Sequence, residues 1–197
     1  MTLYRKVQAV ERVFKGLEKD VAAFKHATNL KCVIGCGRCC TKPDISASTI
    51  EFLPLAYHLY KQGLALEWYE KLGENNSPTC YIFSPVFLEG LGGMCSQYQY
   101  RGLICRLFGF SAKLDKHGVP QIVTCKTIKE EFPQSYQTAV DHIDKGKTTP
   151  IMRNYYFKLQ SIDGNLSTKL MPINEAIREA IKVVLSYYAY RRKPRSA

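Results

Sequence analysis

Four cysteines fall within nine residues of this chain, in the run Cys32-Val-Ile-Gly-Cys36-Gly-Arg-Cys39-Cys40. No hydrophobic period passes through the run, and two glycines flank its second cysteine. Cysteines buried as small apolar groups need neither clustering nor flanking glycine. Gly35 and Gly37 admit positive φ and let backbone N–H groups turn toward sulfur, an electropositive nest suited to a thiolate-bound metal. The segment is therefore expected to be a loop that interrupts helix and binds metal. Four more cysteines follow: Cys80, Cys95, Cys105 and Cys125. Taken singly, Cys80 or Cys125 reads as a small buried hydrophobe. Together with the loop they make eight thiols, enough for two sites of four, in a division that spacing leaves open.

The opening MTLYRKVQAVERVFKGLEKD is charged throughout and has no apolar core, so no secretory signal is expected. A cytoplasmic setting keeps thiols reduced, which favours metal ligands over disulfides. No apolar run approaches the ~18–20 residues of a membrane span, so no membrane partner is expected. The formal charge of +11, from 28 basic and 17 acidic residues, counts every thiol as neutral. Part of that excess is read as counter-charge to thiolates, with a plain basic surface as the equal alternative. A hydrophobic share of 46% is enough for a globular core and argues against wholesale disorder.

Leu3, Val7, Val10, Phe14, Leu17, Val21 and Phe24 alternate steps of four and three, a narrow stripe on a helix of about seven turns. It is expected to pack lengthwise on another helix, the C-terminal one first. Ser46 or Ser48 is read as the cap of a helix to about Gln62, with Gly63 as its stop and Pro54 shifting its start or kinking it. A short helix around Glu67 to Leu72 precedes a turn at Glu74 to Pro78. Cys80 to Ser96 is read as irregular, with Pro85, Gly90, Gly92 and Gly93. Alternation at Phe108, Phe110, Ala112 and Leu114, a turn at Asp115 to Gly118, and a return over Val119 to Cys125 predict a β-hairpin. That hairpin is expected to hold Cys105 and Cys125 together. Helices follow from Ser135 to about Lys145, from a Thr149–Pro150 start to Asp163-Gly164, and from Asn174 to Tyr190. In the second of these, Ile151, Tyr155, Leu159 and Ile162 are expected to form an apolar face. Arg191 to Arg195 is read as a basic tail.

Paired CxxC knuckles are the usual sign of four-cysteine zinc, and this spacing differs from them. Iron–sulfur clusters often take three cysteines from one short loop and a fourth from elsewhere. Cys32, Cys36 and Cys39 also carry the C-x3-C-x2-C spacing of radical SAM enzymes. Those enzymes place the loop after the first strand of an α/β barrel, whereas a long helix precedes it here, so that fold is rejected and the cluster chemistry kept. Adjacent side chains meet only where the backbone bends sharply, so Cys39 and Cys40 are expected to serve different metal atoms or different edges of one cluster.

The run Cys95-Ser-Gln-Tyr98-Gln-Tyr-Arg101-Gly-Leu-Ile-Cys105-Arg106 resembles the C-x-x-Y-x-x-R-P-x-x-C-R pattern of the CxxCxxCC, or YkgJ-like, cysteine-cluster family of zinc- or iron-chelating domains. Gly102 stands where that pattern has proline, and the insertion between Cys80 and Cys95 is longer. The resemblance covers roughly residues 30–126 and implies eight metal ligands: Cys32, Cys36, Cys39, Cys40, Cys80, Cys95, Cys105 and Cys125. A bacterial flagellin lysine methylase carries a similar arrangement and is associated with an iron–sulfur cluster, which points to iron and to methyl transfer.

Arg101 and Arg106 bracket Cys105 and are expected to support the cofactor, offsetting the charge of metal-bound sulfur; Arg38 is a weaker case of the same kind. His26, His58, His117 and His142 are isolated and read as ordinary histidines. The tyrosine pairs on helices read as core, so nucleic acid is disfavoured as a partner and a protein partner is left open.

The expected fold is α+β, a mainly helical single domain over 1–197. A cysteine-cluster core at 30–126 and one hairpin are flanked by helices at 3–26 and 135–190. The expected function is metal binding with a redox or chelating role, an iron–sulfur cluster first and zinc or iron ions second. The alternatives are a cluster-dependent transferase acting on protein, as in lysine methylation, and a zinc-stabilised interaction or nucleic-acid-binding module. Whether the chain is an enzyme is left undecided by its residues.

Overall fold

The computed structural model describes residues 1–86 and 92–191. The apolar stripe forms helix α1, Leu3–Thr28. Thr2 caps it, accepting the Arg5 N–H at 3.4 Å, and Asn29 ends it at φ 52°. Asparagine tolerates this left-handed conformation, which closes the last turn. After the cysteine loop come strand β1, Ser46–Ser48, a 3-10 turn at Thr49–Phe52, and α2, Leu53–Lys61. Pro54 sits in the first turn of α2, where its missing N–H leaves no helical bond unmade. Helix α3 is Ala65–Glu74, followed by the two-residue strands β2, Phe83–Ser84, and β3, Met94–Cys95. A 3-10 turn at Tyr98–Tyr100 leads into α4, Leu103–Leu107. The hairpin is β4, Ser111–Leu114, and β5, Pro120–Val123. Then come α5, Lys126–Glu131, α6, Pro133–Asp144, α7, Met152–Gln160, α8, Gly164–Ser167, β6, Leu170–Pro172, and α9, Ile173–Ala189. The fold is mainly helical α+β, and among the described residues its strands form three antiparallel pairs, β1–β6, β2–β3 and β4–β5.

Two hydrophobic clusters organise the helices. The larger gathers Leu3 to Leu17 of α1 with α2, Leu103 and Leu107 of α4, Leu159 of α7 and the inner face of α9. The smaller holds Phe24 and Leu30 against Ala112, Ile128, Ala139 and Ile143. Helix α1 therefore runs through both. Each fully buried Leu or Phe contributes about 1.5–3 kcal/mol by leaving water. The β1–β6 pair sets Ser46 opposite Pro172 and Ser48 opposite Leu170, which fixes the start of α9 beside the chain that enters α2.

Several expectations change. Helix α1 packs on α2, α4, α6 and α7, and not lengthwise on α9, whose buried side is taken by α2 and α3. Thr149–Pro150 caps no helix. The Pro150 carbonyl accepts the Ala112 N–H at 2.8 Å, which draws this segment against β4, and α7 starts two residues later. Cys105 lies on helix α4. The hairpin does not unite its flanking cysteines: Cys105 packs on the larger cluster and Cys125 on the smaller. Gly90 and the tail beyond Arg191 (Arg192, Lys193 and Arg195) lie outside the described residues. Among the described residues, no helix is long and apolar enough to cross a membrane.

Candidate metal centre

The loop carrying Cys32, Cys36, Cys39 and Cys40 is built on two tight bends. Gly35 and Gly37 take φ of 70° and 58°, a region open to glycine at no steric penalty. A Cβ on Gly37 would also stand 2.6 Å from the Phe83 ring. The Cys40 N–H donates to the Gly37 carbonyl at 2.8 Å, and the Gly92 and Gly93 N–H groups both donate to the Gly35 carbonyl at 2.9 Å. The loop is thus laid against the chain that enters β3. One further bond, from the Cys80 N–H to the Cys40 carbonyl at 3.1 Å, brings a distant cysteine to the loop's end.

The bend at 37–40 is sharp enough to turn adjacent side chains together. The Cys39 and Cys40 sulfurs lie 3.9 Å apart. Two thiolates on one tetrahedral metal, with bonds of ~2.3 Å, stand about 3.8 Å apart. Their hydrogen bond splits the pair. It pulls the Cys39 thiol down to about 6, with help from the Arg101 charge, and pushes the Cys40 thiol far up.

Burial raises most of the other thiols. It pushes Cys80 up to about 11, against the opposing pull of the Ile82 and Phe83 N–H groups. It raises Cys105, with the charges of Cys80, Glu51 and Cys39 adding to the effect. Cys95 is raised by burial and eased by the Gln97 N–H and by Arg101. Cys32 is raised by burial and by Cys36, Cys125 and Cys39. The thiols therefore form two neighbourhoods. Cys40, Cys80, Cys95 and Cys105 line the larger hydrophobic cluster, Cys32 neighbours Cys36 and Cys125, and Cys39 acts on both. The Ile128 N–H donates to the Cys125 sulfur at 3.4 Å.

The neighbourhoods are not closed around one point. Among the described residues, no three ligand-type side chains come near enough together to hold a metal ion. Cys32 and Cys39 are exposed and Cys80 is buried. The donor set suits a thiophilic metal such as zinc or iron. A cavity of about 550 Å³ opens beside the loop between Cys36, Arg38, Phe83, Thr127 and Glu131.

The two arginines sit differently from each other. Arg101 stacks on the Tyr98 ring at 3.6 Å and reaches the thiols through its charge. Arg106 is 7% exposed and its donors are taken by other groups. Its Nε donates to the Arg101 carbonyl at 2.9 Å, and its remaining nitrogens donate to the Gln99 carbonyl and to Glu18. Its plane lies 4.4 Å over Phe14. Its positive charge slightly offsets the burial that raises the Cys95 thiol. Arg38 donates to the Thr127 hydroxyl at 3.2 Å. His58 stacks on Tyr100 at 4.5 Å, and His142 meets Phe24 edge-on at 5.5 Å.

Two polar residues escape a reading of the sequence for ligands. Glu51 is fully buried and bonds Ser48 and Ile104. Its Ser48-x-x-Glu51 spacing is a capping-box signature, which predicts the first contact but not the second. Asn174 bonds both sides of Cys80, and nothing local in sequence signals that.

A helical frame presenting eight thiols, four of them on one glycine-bent loop, defines a metal-binding protein. Residues 31–134, more than half of the chain, match the CxxCxxCC family, described as a putative zinc- or iron-chelating domain, and the chain belongs to that family. No curated protein and no solved structure matches the chain.

Proposed function

We propose that the chain holds iron in iron–sulfur form, with Cys32, Cys36, Cys39, Cys40, Cys80, Cys95, Cys105 and Cys125 as a ligand set for two sites of four, in one domain spanning 1–197, with a redox or chelating role. The carrying observation is the 3.9 Å approach of the Cys39 and Cys40 sulfurs, next to Cys80 and Cys105. Two cysteines at that separation suit one metal atom. A cubane cluster takes one cysteine per iron, so the reading favours a two-iron cluster over a cubane at this pair. The same separation suits zinc or a single iron ion, which is the second reading. Arg101 and Arg106 supply positive charge beside Cys39 and Cys95 that offsets the thiolates of the loaded centre.

Metal and acid-labile sulfide analysis of anaerobically purified protein, with its visible spectrum, tests the reading. Iron with equimolar sulfide supports the cluster, and colourless protein with zinc replaces it by the second reading. Protein with neither metal overturns both. Changing Cys36 and Cys39 together to Ser is expected to remove most of the bound metal. Full occupancy of that variant after chelator treatment excludes the loop.

A further inference from the structure

We infer that Glu51 and Asn174 are positioning residues of the metal centre, Glu51 fixing Cys105 and Asn174 fixing Cys80, so that two deep thiols stand preset and the exposed loop closes onto them. The inference rests on the reading that both cysteines are ligands.

Helix α4 carries Cys105 and has five residues, far fewer than the ~12–15 that an isolated helix needs. Its N-cap is Gly102, which has no side chain to bond the first N–H groups. The cap comes from elsewhere. Glu51 sends Oε2 to the Ile104 N–H at 3.2 Å, one residue before Cys105. Its Oε1 accepts from the Ser48 N–H at 2.7 Å and from the Ser48 hydroxyl at 3.0 Å. One carboxylate thus pins α4 to the turn before α2. Among the described residues no lysine or arginine pairs with Glu51; burial raises its carboxyl, and the Ser48, Ile104 and Leu103 N–H groups and the Ser48 hydroxyl only partly offset that. The approach needs glycine at 102. A Cβ there would stand 2.8 Å from the Phe52 ring and 3.2 Å from Glu51 Oε2.

Asn174 works from the other side. It lies in the first turn of α9, beyond the residues that match the family. Its Oδ1 accepts the Tyr81 N–H at 2.8 Å, and its Nδ2 donates to the Thr79 carbonyl at 2.9 Å and the Ser77 carbonyl at 3.2 Å. These bonds bracket Cys80 on both sides. The Cys80 N–H in turn holds the Cys40 carbonyl at 3.1 Å. The β1–β6 pair sets the start of α9, so the strands act on the centre through Asn174.

The test compares Glu51→Gln, Asn174→Ala and wild type in two forms. In reduced, metal-free protein, the alkylation rate of each cysteine is read by mass spectrometry. Glu51→Gln is expected to speed labelling of Cys105 and leave Cys80 unchanged; Asn174→Ala is expected to do the reverse. Loss of a supporting partner typically costs 10–100-fold in metal affinity, so metal-loaded variants are expected to release metal to a chelator at least about tenfold faster. Gly102→Ala crowds the Phe52 ring and the Glu51 carboxylate at the start of α4, and is expected to reproduce the Glu51→Gln pattern if Glu51→Gln fails to fold. Equal acceleration of every thiol, or unchanged rates at Cys105 and Cys80, overturns the inference. Wild-type protein that takes up no metal overturns the underlying reading instead, and is seen before any variant is compared.

Discussion

The sulfurs of Cys39 and Cys40 face each other at 3.9 Å, although the residues are neighbours in the chain. Their hydrogen bond lets one proton serve two sulfurs. Cys39 ionises at about 6, and Cys40 keeps its proton well above the ordinary thiol range. In metal-free protein at pH 7, Cys39 is therefore mostly thiolate, and it is exposed. It is expected to be the first cysteine alkylated, since the thiolate is the nucleophile. The sign with pH follows from the lowered value: its rate falls as pH drops through about 6 and is flat above about 7. Replacing Cys40 with Ala removes the donor and moves that fall toward higher pH. Site-resolved labelling from pH 5 to pH 9 measures both. Cys80 reacting before Cys39 at pH 7 would contradict the geometry.

Thiols pushed up by burial must lose protons when metal binds. Cys80 stands at about 11, and Cys95, Cys105 and Cys40 are raised as well. Raised values mean that protons compete with metal at neutral pH, so affinity is expected to rise with pH from 6 to 9. Cys39 contributes little to that slope above pH 7, because it is already ionised. Competition with a chelator across this range, with proton release counted in weak buffer, checks it. An affinity independent of pH means that these thiols are not ligands.

The long-period and short-period signals were legible in the residues. Seven apolar positions of α1 repeat over many turns, and Asp115 to Gly118 gives a turn between two alternating runs. The cysteine loop announces itself because glycine and cysteine together have no use in helix or strand. Other features have no local signal. Strands β1 and β6 are three residues each and meet across more than a hundred residues, too short to show a period. Helix α4 is a single turn that exists because Glu51 and the core hold it. Pro150 looks like a helix start by type, but its carbonyl is taken by Ala112. The eight thiols were visible and their grouping was not, because Cys105 and Cys125 are separated by which hydrophobic cluster each one joins.

Chelation is expected to loosen the cysteine-bearing middle of the chain before its helices. Strands β2 and β3 have two residues each, and little apolar burial holds 92–102. Thiolate–metal bonding in small zinc domains supplies on the order of 10 kcal/mol of folding free energy. Amide exchange is expected to speed first at 80–86 and 92–105 and last in α1, α2 and α9. The opposite order would show that the metal is dispensable to the fold.

Leu17 is fully buried on the side of α1 that faces the other helices. Leu17→Asp places a carboxylate among apolar side chains with no partner. It is expected to destabilise the protein by about 3–5 kcal/mol, as unpaired burial of charge together with lost packing does. Urea unfolding followed by circular dichroism measures it. Stability equal to the parent would mean that the stripe is not part of the core.

Arg106 is expected to support the metal centre and not nucleic acid. Its guanidinium ties the Gln99 and Arg101 carbonyls to Glu18 and Phe14, which fixes the short segment between Cys95 and Cys105 onto α1. Glu18 is largely exposed, so the ion pair itself is screened and the carbonyl bonds carry more of the effect. Arg106→Ala is expected to cost about 1–3 kcal/mol and to speed metal release. Arg106→Lys is expected to rescue little, because one ammonium lacks the planar fork that reaches these acceptors together. A phosphate contact would behave differently: its loss weakens nucleic-acid binding and lowers the salt slope by about one. Metal release and a salt titration with duplex DNA on the same variant separate the two. Unchanged metal retention with weakened, flatter DNA binding would overturn the assignment and favour a zinc-stabilised interaction module.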